Sequence, residues 1–172
     1  MRTINTIVIH HSVSPQSWSV AKTIGVIDRE HVKLHPKKNS LNRHISYHYL
    51  IFPGGHFEQT REAKEVGWHA GNYAVNLVSL GVCLIGNFNH DTPTPEQSAT
   101  LKTLLESLTK AFNIKHGNIK LHKEVRLAPT ECPGKNITHA YIDSLMQKKP
   151  NVKTKLLRHL RKIKLLRARN IL

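Results

Sequence analysis

A histidine and a cysteine stand ten positions apart in the stretch Leu121-His122-Lys123-Glu124-Val125-Arg126-Leu127-Ala128-Pro129-Thr130-Glu131-Cys132-Pro133-Gly134. Imidazole and thiolate are the side chains that zinc prefers, and a catalytic zinc site takes three protein ligands so that a fourth position stays open to water. A proline lies inside the gap and a Pro-Gly turn follows the thiol directly, so the cysteine sits in a polar loop where packing gives it little purpose. The best supplier of a third ligand is Ile7-Val8-Ile9-His10-His11-Ser12, an apolar β-branched run that ends abruptly in two histidines. The chemistry of such a His, His, Cys site would be hydrolysis: two neutral imidazoles and a thiolate leave Zn2+ a net charge of about +1, enough to acidify water and polarise an amide carbonyl. Taken singly the residues have plainer roles, His122 as a surface or core histidine and Cys132 as a small buried hydrophobe.

The elements that must bring these groups together follow from local patterning. Ile4 to His10 reads as a buried strand delivering His10 to its end, and Ile119-Lys120-Leu121 as a short strand delivering His122. If the two strands are neighbours, both histidines emerge at one rim. Ser17 to Lys33 reads as a helix with Ser19 a candidate N-cap, weakened by Gly25. Ser46 to Phe52 has strand composition and Pro53-Gly54-Gly55 turns it into His56-Phe57-Glu58 as a hairpin. Arg61 to Asn76 carries few regular signals, and its Trp68-His69-Ala70-Gly71-Asn72-Tyr73 is loop chemistry suited to binding. Leu80 to Gly86 is short and apolar enough to be a central strand, with Cys83 in the core. Thr94-Pro95-Glu96-Gln97 opens a helix with a capping box and proline at its first position, and Leu101, Leu104, Leu105, Leu108 and Phe112 form its buried face. Thr138 to Gln147 reads as a last core helix.

In 172 residues with 39% hydrophobic content there is room for one compact domain and an appendage. The expected division is a catalytic domain over 1–149 and a basic amphipathic tail over 150–172. No run of eighteen apolar residues occurs and the first residues lack a secretory pattern, so a soluble product made in the cytoplasm, a monomer with two reduced cysteines, is expected. Lys and Arg number 26 against 11 Asp and Glu, a net charge of +15 that draws the protein toward polyanions. The excess sits late in the chain. After Asp143 there is no acidic residue, while Val152, Leu156, Leu160, Ile163 and Leu166 share one side of a helical wheel that is otherwise rich in Lys and Arg. Such a tail could pack on the domain, bind anionic membrane or lipopolysaccharide, or bind nucleic acid. A nucleic-acid module as the whole function would leave His10, His122 and Cys132 without a role.

In this order, Ile7 to Ser12, Ser46-Tyr47-His48-Tyr49, Trp68 to Asn72, Leu80 to Phe88, Thr94 to Gln97 and His122 to Gly134 resemble the zinc-dependent N-acetylmuramoyl-L-alanine amidases, a family joining phage amidases to animal peptidoglycan recognition proteins. The resemblance spans roughly Thr3 to Met146. It implies an α/β fold, a central mixed sheet flanked by helices with a substrate groove over zinc, and bacterial peptidoglycan as substrate. It assigns His10, His122 and Cys132 as ligands, Tyr47 as the catalytic tyrosine, His69 and Asn72 as substrate contacts, and Thr130 as a supporting catalytic group. Thr130 stands where phage members often carry lysine, and Cys83 or Leu84 where others carry glutamate. A non-catalytic peptidoglycan-binding protein on the same fold is the alternative, in which a broken ligand set would be expected.

Overall fold

A computed structural model describes residues 2–147; the basic tail lies outside the described residues. Five strands form one sheet in the order β3-β2-β4-β1-β5, with β1 Thr6–His11, β2 Tyr49–Ile51, β3 Phe57–Gln59, β4 Ser79–Leu84 and β5 Ile119–Leu121. β1 runs parallel to both β4 and β5, β2 runs parallel to β4, and only the edge strand β3 is antiparallel. A parallel strand covered on both faces must be apolar along its whole length. Accordingly, every residue of β1 after Thr6 and every residue of β4 is buried.

The pleat sends alternate side chains to opposite faces. On one face Ile7, Ile9, Leu80, Val82 and Leu84 meet the leucines of α3, Pro95–Phe112, and Ile142 of α5, His139–Met146. On the other, Leu50 and Cys83 meet Ile24 and Ile27 of α1, Val20–His31. Two short helices complete the fold, α2 Tyr73–Val78 and α4 His122–Val125.

Capping chemistry sets the helix starts. Ser19 Oγ accepts from Lys22 N–H, and Thr94 and Gln97 close a reciprocal box at α3. Gln97 does more than cap: fully buried, its amide donates to the carbonyls of Ile51 and Ile85, tying α3 to the ends of β2 and β4. Ser46 to His48 precede β2 instead of extending it, although His48 N–H still reaches the Gly81 carbonyl at 2.9 Å. α2 begins inside the stretch expected to lack regular structure; its six residues are too few to show an apolar period.

Two histidines outside the ligand set are held neutral by burial. His48 Nδ1 accepts from Gly81 N–H at 3.0 Å, and its pKa is pushed down to about 3. His31 Nδ1 accepts from Ser46 N–H at 3.0 Å, and its pKa falls to about 4. The unfolded chain takes up these protons below an ordinary pKa of about 6.5 while the folded chain refuses them, so stability is complete above about 6.5 and declines as pH falls toward 4 and then 3. At pH 5, His48 alone is expected to cost about 2 kcal/mol. Thermal melts of metal-free protein should show Tm roughly 4–8 °C or more lower at pH 5 than at pH 7. Equal melting temperatures would refute this account.

Candidate metal centre

Parallel pairing of β1 with β5 aligns Ile9 with Leu121, so the next residues, His10 and His122, leave the sheet at one level. This is the carboxyl end of the parallel strands, where open α/β sheets place their ligands. The pleat separates the two histidines of β1. His11 turns to the α3 face, where its Nδ1 accepts from Phe88 N–H at 3.2 Å. His10, its neighbour, is fully buried against the site.

Cys132 arrives on a loop fastened from several directions. Lys123 N–H donates to the Cys132 carbonyl at 2.8 Å, Cys132 N–H donates to Thr130 Oγ1 at 3.2 Å, and Gly134 N–H donates to the Glu131 carbonyl at 2.6 Å. Gly134 has φ of +95° and a Cβ there would lie 2.4 Å from the Phe88 carbonyl carbon, so only glycine lets the loop press this close. His11 N–H points at Cys132 Sγ from 3.4 Å, a donor suited to a thiolate.

The donor atoms of His10, His122 and Cys132 all lie within 4.8 Å of one another, a group that could hold a metal ion. His10 Nδ1 is 3.8 Å from Cys132 Sγ. Tetrahedral zinc with ordinary Zn–N and Zn–S bonds would set such a pair about 3.6 Å apart. Both ring nitrogens of His122 are shielded from water and lack any hydrogen-bond partner among the described residues. An orphaned buried imidazole is costly unless something completes it, and a cation between these donors would do so. Burial holds His10 far below its ordinary pKa, aided by the neighbouring His69 and His122. Burial also brings His122 to about 4; the Ala70 carbonyl opposes the shift without completing a hydrogen bond. Both imidazoles therefore present lone pairs at neutral pH. The Cys132 thiol is pushed up to about 11 by burial without a metal charge, so metal binding must displace its proton.

A cavity of about 480 Å³ opens over the centre, lined among others by Tyr47, Asn89, His122, Thr130, Glu131 and Cys132. A smaller one of about 250 Å³ lies on the other side of Tyr47 and His122, bounded by Trp68 and Arg126. Tyr47 thus stands between the two, its ring 5.0 Å from that of His10 and 5.2 Å from that of His31. Burial and the nearby Cys83 and Cys132 raise its phenol well above the ordinary pKa, so the hydroxyl keeps its proton. Thr130 lies on the wall of the larger cavity. A third hollow of about 680 Å³ between α3 and the β2–β3 hairpin is lined by Tyr49, Phe57, Leu104 and Phe112, among others, and is remote from these donors.

His69 and Asn72 take positions that the loop-like sequence around them did not indicate. His69 is buried behind His10, Nδ1 at 3.0 Å from His10 Nε2 and Nε2 at 3.3 Å from Ser79 Oγ. Asn72 caps α2, its Oδ1 accepting from Val75 N–H at 3.4 Å and its Nδ2 donating to the Val125 carbonyl at 3.1 Å. Two groups of the larger cavity escaped the sequence reading: Asn89, whose Nδ2 donates to Glu131 Oε2 at 2.7 Å, and Glu131 itself. Glu131 adjoins Cys132 in sequence, but Asn89 carries no local signal.

The fold has counterparts in solved structures. N-acetylmuramoyl-L-alanine amidase LysC from Clostridium intestinale URNW superposes with a TM-score of 0.67 at 32% identity, over 83% of this chain and 85% of its own. The Ph2119 endolysin from Thermus scotoductus MAT2119 bacteriophage Ph2119 gives a TM-score of 0.66 at 25% identity, over 86% and 88%. Among animal proteins, peptidoglycan-recognition protein SC2 of Drosophila melanogaster is 29% identical over 130 residues, 76% of this chain and 68% of its own length. The sequence model that describes N-acetylmuramoyl-L-alanine amidases matches residues 1–135, a span that contains every strand of the sheet and all three donors of the centre, and the chain belongs to that family.

Proposed function

We propose that this protein is a zinc-dependent N-acetylmuramoyl-L-alanine amidase that cleaves the amide joining the lactyl group of muramic acid to L-alanine in bacterial peptidoglycan, acting as a bacteriolytic, phage-type endolysin once it gains access to the wall. The observation that carries this reading is the convergence of His10, His122 and Cys132 beside a cavity, with both His122 nitrogens left without partners among the described residues. In a binding protein that has given up catalysis there is no demand to keep three donors aimed at one point.

Bound by these donors, zinc would supply an acidified water and polarise the amide carbonyl. The chain's own groups do the rest. Tyr47, kept protonated, donates its hydroxyl hydrogen to the carbonyl oxygen as negative charge develops there. Thr130 accepts the Cys132 N–H with a lone pair, which leaves its own hydrogen free to point into the cavity as a second donor. Asn89 and Glu131 offer polar edges to a sugar-peptide substrate.

The test is zinc content measured together with release of stem-peptide amino groups from purified peptidoglycan. Expected are bound zinc, amine release that a chelator abolishes, and recovery on adding zinc back. Chelator-insensitive release would refute the metal reading; peptidoglycan binding with no release would establish the non-catalytic alternative.

A further inference from the structure

Behind the ligand His10 stands a second imidazole packed closely on the backbone. His69 is wedged between two strictly small residues. A Cβ at Gly81 would lie 2.7 Å from His69 Cγ, and one at Gly67 would lie 3.0 Å from His69 Cδ2. Gly81 belongs to β4, on the face that β4 shares with Cys83 and His10, so the ring lies flat against the strand where a side chain would otherwise be. His10 is wholly buried and His69 nearly so.

The proton positions follow from the metal reading together with the distances. Cys132 Sγ faces His10 at Nδ1, 3.8 Å away, so Nδ1 is the nitrogen available to a metal, and a metal bound there would leave the proton of the neutral ring on Nε2. His10 Nε2 faces His69 Nδ1 at 3.0 Å, and a proton on one requires a lone pair on the other. His69 then carries its own proton on Nε2, which is directed at Ser79 Oγ 3.3 Å away. With Nδ1 of His10 given to a metal every link takes this one sense; with a proton on that Nδ1 the same distances are met by the reverse chain, from the Ser79 hydroxyl through His69 to His10. A metal-ligating histidine needs this kind of outer partner to fix which nitrogen is bare and how the ring is turned.

We propose that His69 is a positioning residue for the metal centre: through the chain Ser79 Oγ, His69, His10 it holds His10 in the tautomer that presents Nδ1 beside Cys132. This rests on the metal reading above, and it gives His69 a task inside the protein beyond its place on the wall of the smaller cavity. Ser79, at the start of β4, is the fixed end of the chain.

The experiment compares full-length wild type with His69→Phe, which keeps a flat ring without an acceptor, and His69→Gln, which keeps an acceptor oxygen. Zinc affinity is measured by competition with a chromophoric chelator, and the His10 tautomer by 15N chemical shifts in the zinc-free wild type. Expected are a loss of about 10–100-fold in zinc affinity for His69→Phe, affinity within a few fold of wild type for His69→Gln, and a proton on His10 Nε2. Wild-type affinity in His69→Phe, equal losses in both variants, or a His10 proton on Nδ1 would each overturn the proposal. The tautomer measurement decides the matter even if His69→Phe fails to fold. A wild type that binds no zinc but shows the Nε2 proton would defeat the metal reading and leave this hydrogen-bond chain standing, so the two failures are distinguishable.

Discussion

Cys132→Ala is expected to abolish zinc retention and amide cleavage together. The substitution removes the only anionic donor of the centre and leaves two neutral imidazoles, His10 and His122, to hold a dication. Losing a partner one shell out from a metal typically costs about 10–100-fold in affinity or activity, and losing a ligand outright must exceed that. The loop itself should survive, because its shape is set by main-chain groups and Thr130: Lys123 N–H to the Cys132 carbonyl, Gly134 N–H to the Glu131 carbonyl, and Cys132 N–H to Thr130 Oγ1. Zinc stoichiometry, peptidoglycan cleavage and a metal-free melting curve, measured on one preparation, separate loss of metal from loss of fold. A folded Cys132→Ala protein that cleaves without zinc would end the proposed mechanism.

Tyr47→Phe should give the complementary result: zinc retained, turnover lost. The ring packs between His10 and His31, contacts that phenylalanine reproduces, so only the hydroxyl is deleted. Removing one donor to a developing oxyanion typically lowers kcat by about 100- to 1,000-fold. Because the interaction strengthens only as charge forms, the loss should fall on kcat with KM little changed. Unchanged turnover would take Tyr47 out of the mechanism, whereas loss of zinc would show that its hydroxyl supports the metal site.

Much of the scaffold was legible because it rests on local chemistry. The capping box at Thr94 and Gln97 declares where α3 begins, and the leucines after it declare which face is buried. The apolar run ending in His10 announces a buried strand, and the alternating Ile119-Lys120-Leu121 before His122 announces one half-covered. Reading failed where elements are short or are completed from afar. β2 stops short of Ser46 to His48, and α2 is too brief to show a period; its cap, Asn72, has its amide tied to Val125, 53 positions away in the chain.

The residue types and their order determined the available chemistry by themselves: two histidines at strand ends, one thiol in a polar loop, and a tyrosine before a hairpin. Whether those groups could act together was decided by the tertiary structure, since pairing of Ile9 with Leu121 levels His10 with His122 and the loop of Cys132 is latched to Lys123. Tertiary structure also chose the partner of His10. His69 lies in a stretch with the look of a binding loop, and its ring instead lies against Gly81 of β4 with Nδ1 3.0 Å from His10 Nε2. A pattern along the chain records which donors exist. The direction each one faces depends on what the rest of the fold leaves unsatisfied.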